Sequence, residues 1–390
     1  MTKSICILGR QPEFGIAELE SVLGPDKLEV FSDSSVICSF DHLDFPLSRF
    51  GGITKVGHLL TVIDGSTWDS ALTYLNSELP KVIEETIPAG KIRFGISTYG
   101  WSLSGSEVVM AANNIKKVLK QSGRSVRFVP NVSAELSSAQ VFHNKLDKSG
   151  GFELLVIKSD KKIAIAKTIV IQDIEAYSAR DQARPKRDAR VGMIPPKLAQ
   201  IMINIANPPA DSVILDPFCG SGVVLQEALL MGYGAFGSDI SERMAEYSKV
   251  NLVWLSKGHP GLPEWKLGLG DAMTMRWETK IGGVVSELYL GKPLFKEMTK
   301  FELEAQAGEI NTLLKNFLLN LAGQVSSGTK LCLALPAWKL GDGFYRLPLL
   351  EKLEKIGYNL LSFKTTNAKD LTYHRPGQLV ARQIVLIKRS

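Results

Sequence analysis

Cysteine and histidine are scarce in this 390-residue sequence, and neither residue type is clustered. The four cysteines (Cys6, Cys38, Cys219 and Cys332) form no CxxC pair, and the five histidines are dispersed. A structural zinc site needs closely spaced Cys or His ligands, and a disulfide framework needs paired cysteines in a short secreted chain. The sequence therefore predicts no metal site and no disulfide bonds, and it favours a reducing cytoplasm.

Long hydrophobic runs are also missing. No stretch approaches the roughly 20 apolar residues that cross a bilayer. The apolar stretch in the opening MTKSICILGR is too short for a secretory signal, and it is typical of a first strand. We therefore expect no membrane partner. A composition of 45% hydrophobic and 22% charged residues is typical of globular domains, and 390 residues predict two or three of them.

Positive charge is unevenly distributed. Residues 1–100 have 8 Lys and Arg against 13 Asp and Glu, whereas residues 101–190 have 16 against 9. A basic block of this kind is a candidate surface for nucleic acid, although solvated lysine-rich helices are an equal alternative. From charge alone, the candidate phosphate contacts are Lys116, Lys117, Lys120, Arg124, Arg184, Lys186 and Arg187.

Short strand patterns alternate with helical patterns in the first 172 residues. Residues 4–9, 34–40 and 91–100 predict strands, and residues 67–79 predict a helix closed by Pro80. The pattern Ser-x-x-Glu at 104–107 predicts a capping box that begins another helix. Such interleaving predicts small α+β domains of the split βαβ kind.

Residues 176–192 interrupt this periodicity because they are polar and rich in arginine. We interpret residues 173–194 as a linker. There are two alternatives to a linker: a solvated surface loop, or a basic segment that lies along a phosphate backbone.

From residue 195 onward, strands and helices alternate with short loops. PPKLAQIMINIA (195–206) predicts a helix, SVILDPF (212–218) a buried strand, and SGVVLQEALLMG (221–232) the next helix. The alternation continues to the C-terminus, with a helix predicted over 347–356 and two closing strands that form an antiparallel edge. Residues 195–390 therefore predict a Rossmann-like, doubly wound and mainly parallel sheet.

In such sheets ligands bind at the carboxyl ends of the strands, where this sequence places glycines and acids. Asp216 ends the first strand and precedes PFCGSG, in which two glycines permit a tight turn close to a ligand. A dinucleotide site would require GxGxxG, but Val223, Val224 and Leu225 follow Gly222. The predicted cofactor-binding residues are Asp216, Pro217, Phe218, Cys219, Gly220, Ser221, Gly222, Asp239, Ile240, Asp271 and Ala272.

Three acids end three successive strands, and their roles differ. Asp216 favours a ligand with ammonium and sulfonium charges, Asp239 is placed to accept from ribose hydroxyls, and Asp271 from an adenine amine. An alternative is that Asp239 and Asp271 are only N-caps of the following helices. The three together favour S-adenosylmethionine as the cofactor.

The stretch RPKRDARVGMIPPKLAQIMINIA followed by ILDPFCGSGVVLQEALLMG resembles the THUMP-domain tRNA guanosine-N2 methyltransferases. ILGRQPEFGIAELESVLG is similar to their N-terminal ferredoxin-like segment, and LSSAQVFHNKL with FELLVIKS to the end of a THUMP domain. The closing YHRPGQLVARQIVLIKR also fits. The resemblance implies a ferredoxin-like domain (1–60), a THUMP-like RNA-binding domain (61–172), the linker and a class I methyltransferase domain (195–390). It implies a tRNA partner and methylation of the guanosine at position 10, and it leaves open a small activating protein.

One segment departs from that family. Its members have Asp/Asn-Pro-Pro-Tyr/Phe after the fourth strand, whereas this sequence reads VSELYLG (285–291). The chemistry needs an acceptor beside the exocyclic amine and a face that stacks on a flipped base. Glu287 supplies the carboxylate, about 1 Å farther out than an aspartate, and Tyr289 supplies the stacking face. The stiffening prolines are missing, and Pro293 follows only later.

Three functions follow from this sequence. The first is an enzyme that methylates guanosine N2 in tRNA with Glu287 as acceptor and base. The second is a tRNA-binding protein of the same ancestry without chemistry, because the catalytic segment is altered. The third is an amino-methyltransferase acting on adenine or cytosine in DNA, which the RNA-type resemblance of the N-terminal half disfavours.

Overall fold

The computed structural model describes residues 3–40, 45–188, 193–291, 294, 296–367 and 369–390. The chain divides into two compact units. The first comprises Met1–Ile16, Leu23–Ser48 and Gly52–Glu175, and the second comprises Ala17–Val22, Arg49–Gly51 and Ala176–Ser390. No helix among these described residues combines the length and the hydropathy that a bilayer crossing requires.

The first unit is built on one eight-stranded sheet. Its elements are β1 (Lys3–Leu8), α1 (Pro12–Leu23), β2 (Leu28–Ser32), β3 (Ser35–Ser39), β4 (Ile53–Asp64), α2 (Trp68–Ser77), α3 (Leu79–Thr86), β5 (Ile92–Tyr99), α4 (Gly105–Lys120), β6 (Val126–Phe128), α5 (Ser138–His143), β7 (Gly151–Lys158) and β8 (Lys162–Ile171). The strand order is β2-β3-β1-β4-β8-β7-β5-β6, with β5 parallel to β6 and β7 and the other pairs antiparallel. Strand β4 runs through residues 60 and 61, where the sequence suggested a boundary between two domains.

Helices α2, α3 and α4 pack their apolar residues with those of β5, β7 and β8 in one core cluster. The capping box predicted at the start of α4 is confirmed, since Ser104 and Glu107 bond each other's backbone N–H. The predicted role of Pro80 is wrong. Helix α2 ends at Ser77, and Pro80 lies in the first turn of α3, where a missing N–H is tolerated.

A buried ion pair joins the strands of this unit. The Lys55 Nζ lies 2.5 Å from Glu153 Oε1 and donates to the Leu136 carbonyl at 2.8 Å. Ser97 and Thr168 donate to the two oxygens of Glu153, both at 2.6 Å. Lys55 and Glu153 are 3% and 0% exposed, so each charge depends on this network for its solvation.

Replacing Lys55 by methionine is expected to cost about 3–5 kcal/mol of unfolding free energy, because Glu153 stays buried without its cation. Urea unfolding measures this cost. The matched control is Lys81→Met, since Lys81 pairs with Glu78 at 3.2 Å on an exposed helix face and contributes at most about 1 kcal/mol. Equal destabilisation by the two substitutions would contradict the role of the buried pair.

The second unit is built on a nine-stranded sheet. Its elements are α6 (Ile174–Gln182), α7 (Pro196–Ala206), β9 (Val213–Asp216), α8 (Val223–Leu230), β10 (Gly234–Asp239), α9 (Glu242–Gly258), β11 (Trp265–Leu269), β12 (Ile281–Glu287), α10 (Lys300–Ala322), β13 (Lys330–Leu340), β14 (Gly343–Tyr345), β15 (Tyr358–Leu360), β16 (Thr372–Tyr373) and β17 (Val380–Arg389). The main path is β11-β10-β9-β12-β13-β17-β15, with β14 beside β13 and β16 beside β17.

Strands β9 to β13 are mutually parallel, and β17 is antiparallel to β13 and β15. The predicted antiparallel edge is thereby confirmed. Strand β9 lies between β10 and β12. The chain adds strands on one side of β9 up to β11 and then crosses to the other side with β12. This change of direction leaves a crevice at the carboxyl ends of β9 and β12. The buried residues of α10 pack with those of β12, β13 and β17 in the core beneath this crevice.

Three local expectations require correction. Residues 174–182 form α6 and are not irregular, because Tyr177 is buried and its hydroxyl donates to Gln200 at 2.5 Å. Residues 189–192 of the predicted linker lie outside the described residues. The helix expected over 347–356 is a 3-10 helix (Pro348–Ile356), and the first of the two closing strands is only the three-residue β15.

Candidate active site

The loop between β9 and α8 has a backbone that only glycine adopts readily. Gly220 and Gly222 have φ of +52° and +82°. A Cβ on Gly222 would lie 2.9 Å from Ser248 Oγ, whereas a Cβ on Gly220 would point into open space, with the nearest atom at 4.0 Å. The loop is anchored to β10, because the Cys219 N–H donates to the Ser238 carbonyl at 2.9 Å. Its Gly220 face is therefore free to receive a ligand.

Asp216 lies buried at the end of β9. Its Oδ1 accepts from the Phe218 N–H at 3.2 Å and from the Ser286 hydroxyl at 2.5 Å. Burial raises the pKa of Asp216 to about 7, although both hydrogen bonds act in the opposite direction. The carboxyl is therefore poised to change charge near neutral pH. Ser286 belongs to β12, so this hydrogen bond joins the glycine loop to the next strand of the crevice.

The next residues of the loop are anchored in the core. Pro217, Cys219 and Ser221 are buried, and burial raises the pKa of the Cys219 thiol well above its usual value. The Phe218 ring packs edge-on against Phe317 of α10, with centroids 5.3 Å apart. These buried contacts fix the conformation of the loop. Its glycines are therefore the part of the loop that a ligand can approach.

Asp239 at the end of β10 also binds the loop. Its Oδ2 accepts from the Gly220 N–H at 2.9 Å, and its Oδ1 accepts from the Ser241 N–H at 2.8 Å. The N-cap of α9 is Ser241 and not Asp239. Asp239 therefore fixes the loop geometry directly beside the position expected for a ribose.

The third acid, Asp271, organises a turn after β11. Its Oδ1 accepts from the Met273 N–H at 2.9 Å. Ala272 is buried, and its carbonyl accepts from Asn320 at 2.9 Å. Nearby strand ends expose two large apolar side chains, Ile240 at 72% and Leu269 at 58%. Such residues are suited to pack against an adenine ring, and Leu269 was missed by the sequence-based prediction.

Glu287 ends β12 on the other side of the crevice. Its side chain is 17% exposed, and Oε1 accepts a short hydrogen bond from Arg382 Nε on β17. Burial raises the pKa of Glu287, and Arg382 opposes that rise. The following Leu288 is buried and its N–H donates to the Ala334 carbonyl at 3.0 Å, while Tyr289 is 51% exposed. The carboxylate is thus fixed, and an aromatic face is available beside it.

Neither Arg382 nor Ser286 was predicted from the sequence as a site residue. Arg382 is 7% exposed and, together with Gln383, interrupts the apolar part of β17 at residues 380–387. An arginine at a strand position that alternation assigns to the interior is a signal for a buried ion pair. No comparable signal singled out Ser286, because small polar residues are common at strand ends.

The seven candidate phosphate contacts differ in exposure. Lys117 and Lys120 are exposed on α4 and Lys116 is half-buried there, whereas Lys186 and Arg187 are exposed in the second unit. The Arg124 guanidinium donates to the Ile87 and Gly90 carbonyls, so it stabilises a turn. The assignment of Arg184 is wrong. This residue is 3% exposed, and its guanidinium lies 3.7 Å from Asp181 and near Met193.

The exposed basic residues Lys186 and Arg187 follow α6 and adjoin the glycine loop. The Asn251 amide accepts from the Lys186 N–H at 2.9 Å and donates to the Lys186 and Ser221 carbonyls at 3.0 and 2.8 Å. The Lys186 ammonium lies 5.5 Å from the Tyr247 ring centroid. Asn251 therefore holds this basic segment against the glycine loop.

Within the described residues, no three His, Cys, Asp or Glu side chains are grouped as a metal site would require. All four cysteines lie within the described residues, where they are buried and none takes part in a disulfide bond.

Comparison with known proteins agrees with this geometry. Residues 184–334 match the model of the UPF0020 family, RMKL-like, methyltransferase domain. The curated tRNA (guanine(10)-N2)-dimethyltransferase of Methanothermobacter thermautotrophicus is 31% identical over 182 residues, which are 46% of this chain and 49% of the relative. The chain thus matches about half the length of that relative, and 23% of the enzyme of the same name from Pyrococcus abyssi.

Solved structures show the same fold. TrmN from Thermus thermophilus aligns with a TM-score of 0.55 at 14% identity over 100% of both chains. SMU.472, solved in complex with SAH, aligns with a TM-score of 0.52 at 12% identity over 99% of this chain and 97% of its own. Residues 184–334 therefore resemble an RMKL-like methyltransferase domain in sequence, and the predicted Rossmann-like class I fold is confirmed.

Proposed function

We propose that this chain transfers a methyl group from S-adenosylmethionine to the exocyclic N2 amine of a guanosine in tRNA, at position 10. The observation that supports it most is the hydrogen bond between Ser286 and Asp216. Because Ser286 precedes Glu287 in β12, this bond supports a site in which the Glu287 carboxylate acts on the acceptor base near the glycine loop. The names of the curated relatives supply the substrate class.

The residues at the loop fit S-adenosylmethionine. Gly220 leaves open space where a side chain would fill the site, and Asp239 holds the Gly220 N–H in place. Ile240 and Leu269 provide apolar surface for the adenine, and Asp216 provides negative charge for a cationic ligand. When bound, this cofactor supplies a methyl group on a sulfonium, and the C–S electron pair stays on sulfur as the new C–N bond forms.

The protein's own residues act on the base. The guanine N2 lone pair is delocalised into the ring, so the amine needs a fixed acceptor that aims it at the methyl carbon. Glu287 accepts an N–H of the amine and takes up the proton that the nitrogen loses after methylation. Tyr289 packs on the flipped base. Lys186 and Arg187 contact phosphates near the loop, and the THUMP-like unit, with Lys117 and Lys120 exposed on α4, binds tRNA.

The proposal is tested by incubating the protein with radiolabelled S-adenosylmethionine and unmodified tRNA. Methyl incorporation into tRNA but not into duplex DNA is expected. Binding of tRNA without incorporation would instead support the non-catalytic alternative, and incorporation into DNA alone would support the third. The four cysteines form no disulfide bond among the described residues, which fits a reducing compartment, and we propose the cytoplasm as the place of the reaction.

The binding of S-adenosylhomocysteine, which retains the ammonium, is expected to strengthen as the pH rises from 6 to 7.5. Below a pKa of about 7 the free protein has Asp216 protonated, so a cationic ligand must displace that proton. The affinity falls by up to about tenfold per pH unit below this pKa and levels off above it. Isothermal titration calorimetry measures it, and Asp216→Asn should remove the dependence. A flat profile for the wild type would contradict the role of Asp216.

A further inference from the structure

The ion pair between Glu287 and Arg382 joins the end of β12 to β17 over the intervening strand β13. We propose that this pair selects guanine over adenine and cytosine, because it presents an ionised carboxylate to the edge of the base that bears the amine. The inference rests on the proposed function and names the determinant of base choice within that site.

The three bases differ beside the amine. In guanine the N2 amine adjoins N1–H, which is a second donor. In adenine the N6 amine adjoins N1, and in cytosine the N4 amine adjoins N3, and both ring nitrogens are acceptors. An ionised carboxylate only accepts hydrogen bonds. Glu287 therefore forms two parallel hydrogen bonds with guanine, but with adenine or cytosine one oxygen would face a lone pair.

This selection requires that the carboxylate stays ionised. A protonated carboxyl would donate O–H to the ring nitrogen of adenine and lose the discrimination. Burial favours the protonated form of Glu287 and raises its pKa. Arg382 is the cation that opposes this rise, and its guanidinium cannot be deprotonated in a protein.

Arg382 also fixes the position of the carboxylate. β17 pairs with β13 on one side and β16 on the other, and Arg382 lies opposite Pro336 and Tyr373 in these ladders. The segment after β12 lacks the prolines of the family pattern, but it is tethered instead by Ser286 to Asp216, by Leu288 to Ala334, and by Glu287 to Arg382. These three contacts hold the glutamate side chain in place without the prolines.

The test compares Glu287→Gln with the wild type on two tRNAs, one with guanine and one with adenine at the methylated position. The glutamine amide offers one donor and one acceptor, which match N1 and the N6 amine of adenine. We expect the wild type to prefer guanine by about 10⁴-fold or more in kcat/KM, and the variant to lower that ratio by at least about 10²-fold. Lys388→Met, which removes a cation elsewhere on β17, should keep the wild-type ratio.

A variant ratio equal to that of the wild type would overturn the inference while leaving the proposed function intact. A wild type that methylates no tRNA would overturn the proposed function. If Glu287→Gln transfers no methyl to either base, base selection is tested by binding instead, in a fluorescence titration with a tRNA that contains 2-aminopurine at the methylated position. This base keeps the amine at position 2 but has an acceptor at N1, so it should bind more tightly to the variant than to the wild type. Equal binding would overturn the inference.

Discussion

Replacing Glu287 by alanine is expected to lower kcat for tRNA methylation by about 10²–10⁴-fold. The substitution removes the acceptor that orients the amine and the base that takes up its proton. The glycine loop is untouched, so the affinity for S-adenosylhomocysteine should change little. Single-turnover kinetics with labelled cofactor measure the rate, and calorimetry measures the affinity.

The matched control for this substitution is Glu278→Ala, which removes an exposed carboxylate in the segment between β11 and β12. It should retain the wild-type rate. A Glu287→Ala variant with undiminished methyl incorporation would show that another group orients the amine, and the assignment of Glu287 would then be wrong.

Replacing Arg382 by methionine is expected to lower kcat by about 10²-fold at neutral pH and to move the acid limb of the pH profile to higher pH. Arg382 on β17 lowers the pKa of Glu287, whereas burial raises it. Asp216 on β9 interacts with Glu287 by like-charge repulsion. Without the guanidinium the carboxyl stays protonated to a higher pH, so activity should recover as the pH increases.

The same substitution leaves a buried acid without its cation and is expected to cost about 3–5 kcal/mol of unfolding free energy. Stability must therefore be measured by urea unfolding alongside the pH profile. Lys388→Met is again the control, since it removes a cation from the distal end of β17. A pH profile for Arg382→Met that superimposes on that of the wild type would contradict the electrostatic role of Arg382.

The glycine loop could be predicted because its determinants are local in sequence. A strand, an acid and two glycines within seven residues specify a turn at a strand end, and the structure gives both glycines positive φ. The doubly wound order also follows from local alternation of strands and helices, because parallel neighbours require crossover connections.

The ion pair of Glu287 could not be predicted in this way. Its partner Arg382 is 95 residues away in sequence, and only the antiparallel pairing of β17 with β13 brings the two together. The same limit explains the error at Arg184. Charge alone suggested a phosphate contact, but contacts with Asp181 and Met193 bury this side chain.

Helix α6 was missed for a related reason. Its sequence has no strong apolar periodicity, and the helix is stabilised by contacts distant in sequence. Tyr177 donates to Gln200, and Arg180 pairs with the buried Glu227 at 3.0 Å. Tertiary contacts therefore override a composition that is typical of a linker.

The reaction proposed for this site is methylation of the N2 amine of guanosine in tRNA. Nucleoside analysis by mass spectrometry of unmodified tRNA, after incubation with S-adenosylmethionine and the wild-type protein, tests this reaction directly. We expect N2-methylated guanosine, formed by the wild type and at least about 10²-fold more slowly by Glu287→Ala. Methylated adenosine or cytidine as the product, or no methylated nucleoside while tRNA and S-adenosylhomocysteine both bind, would contradict it.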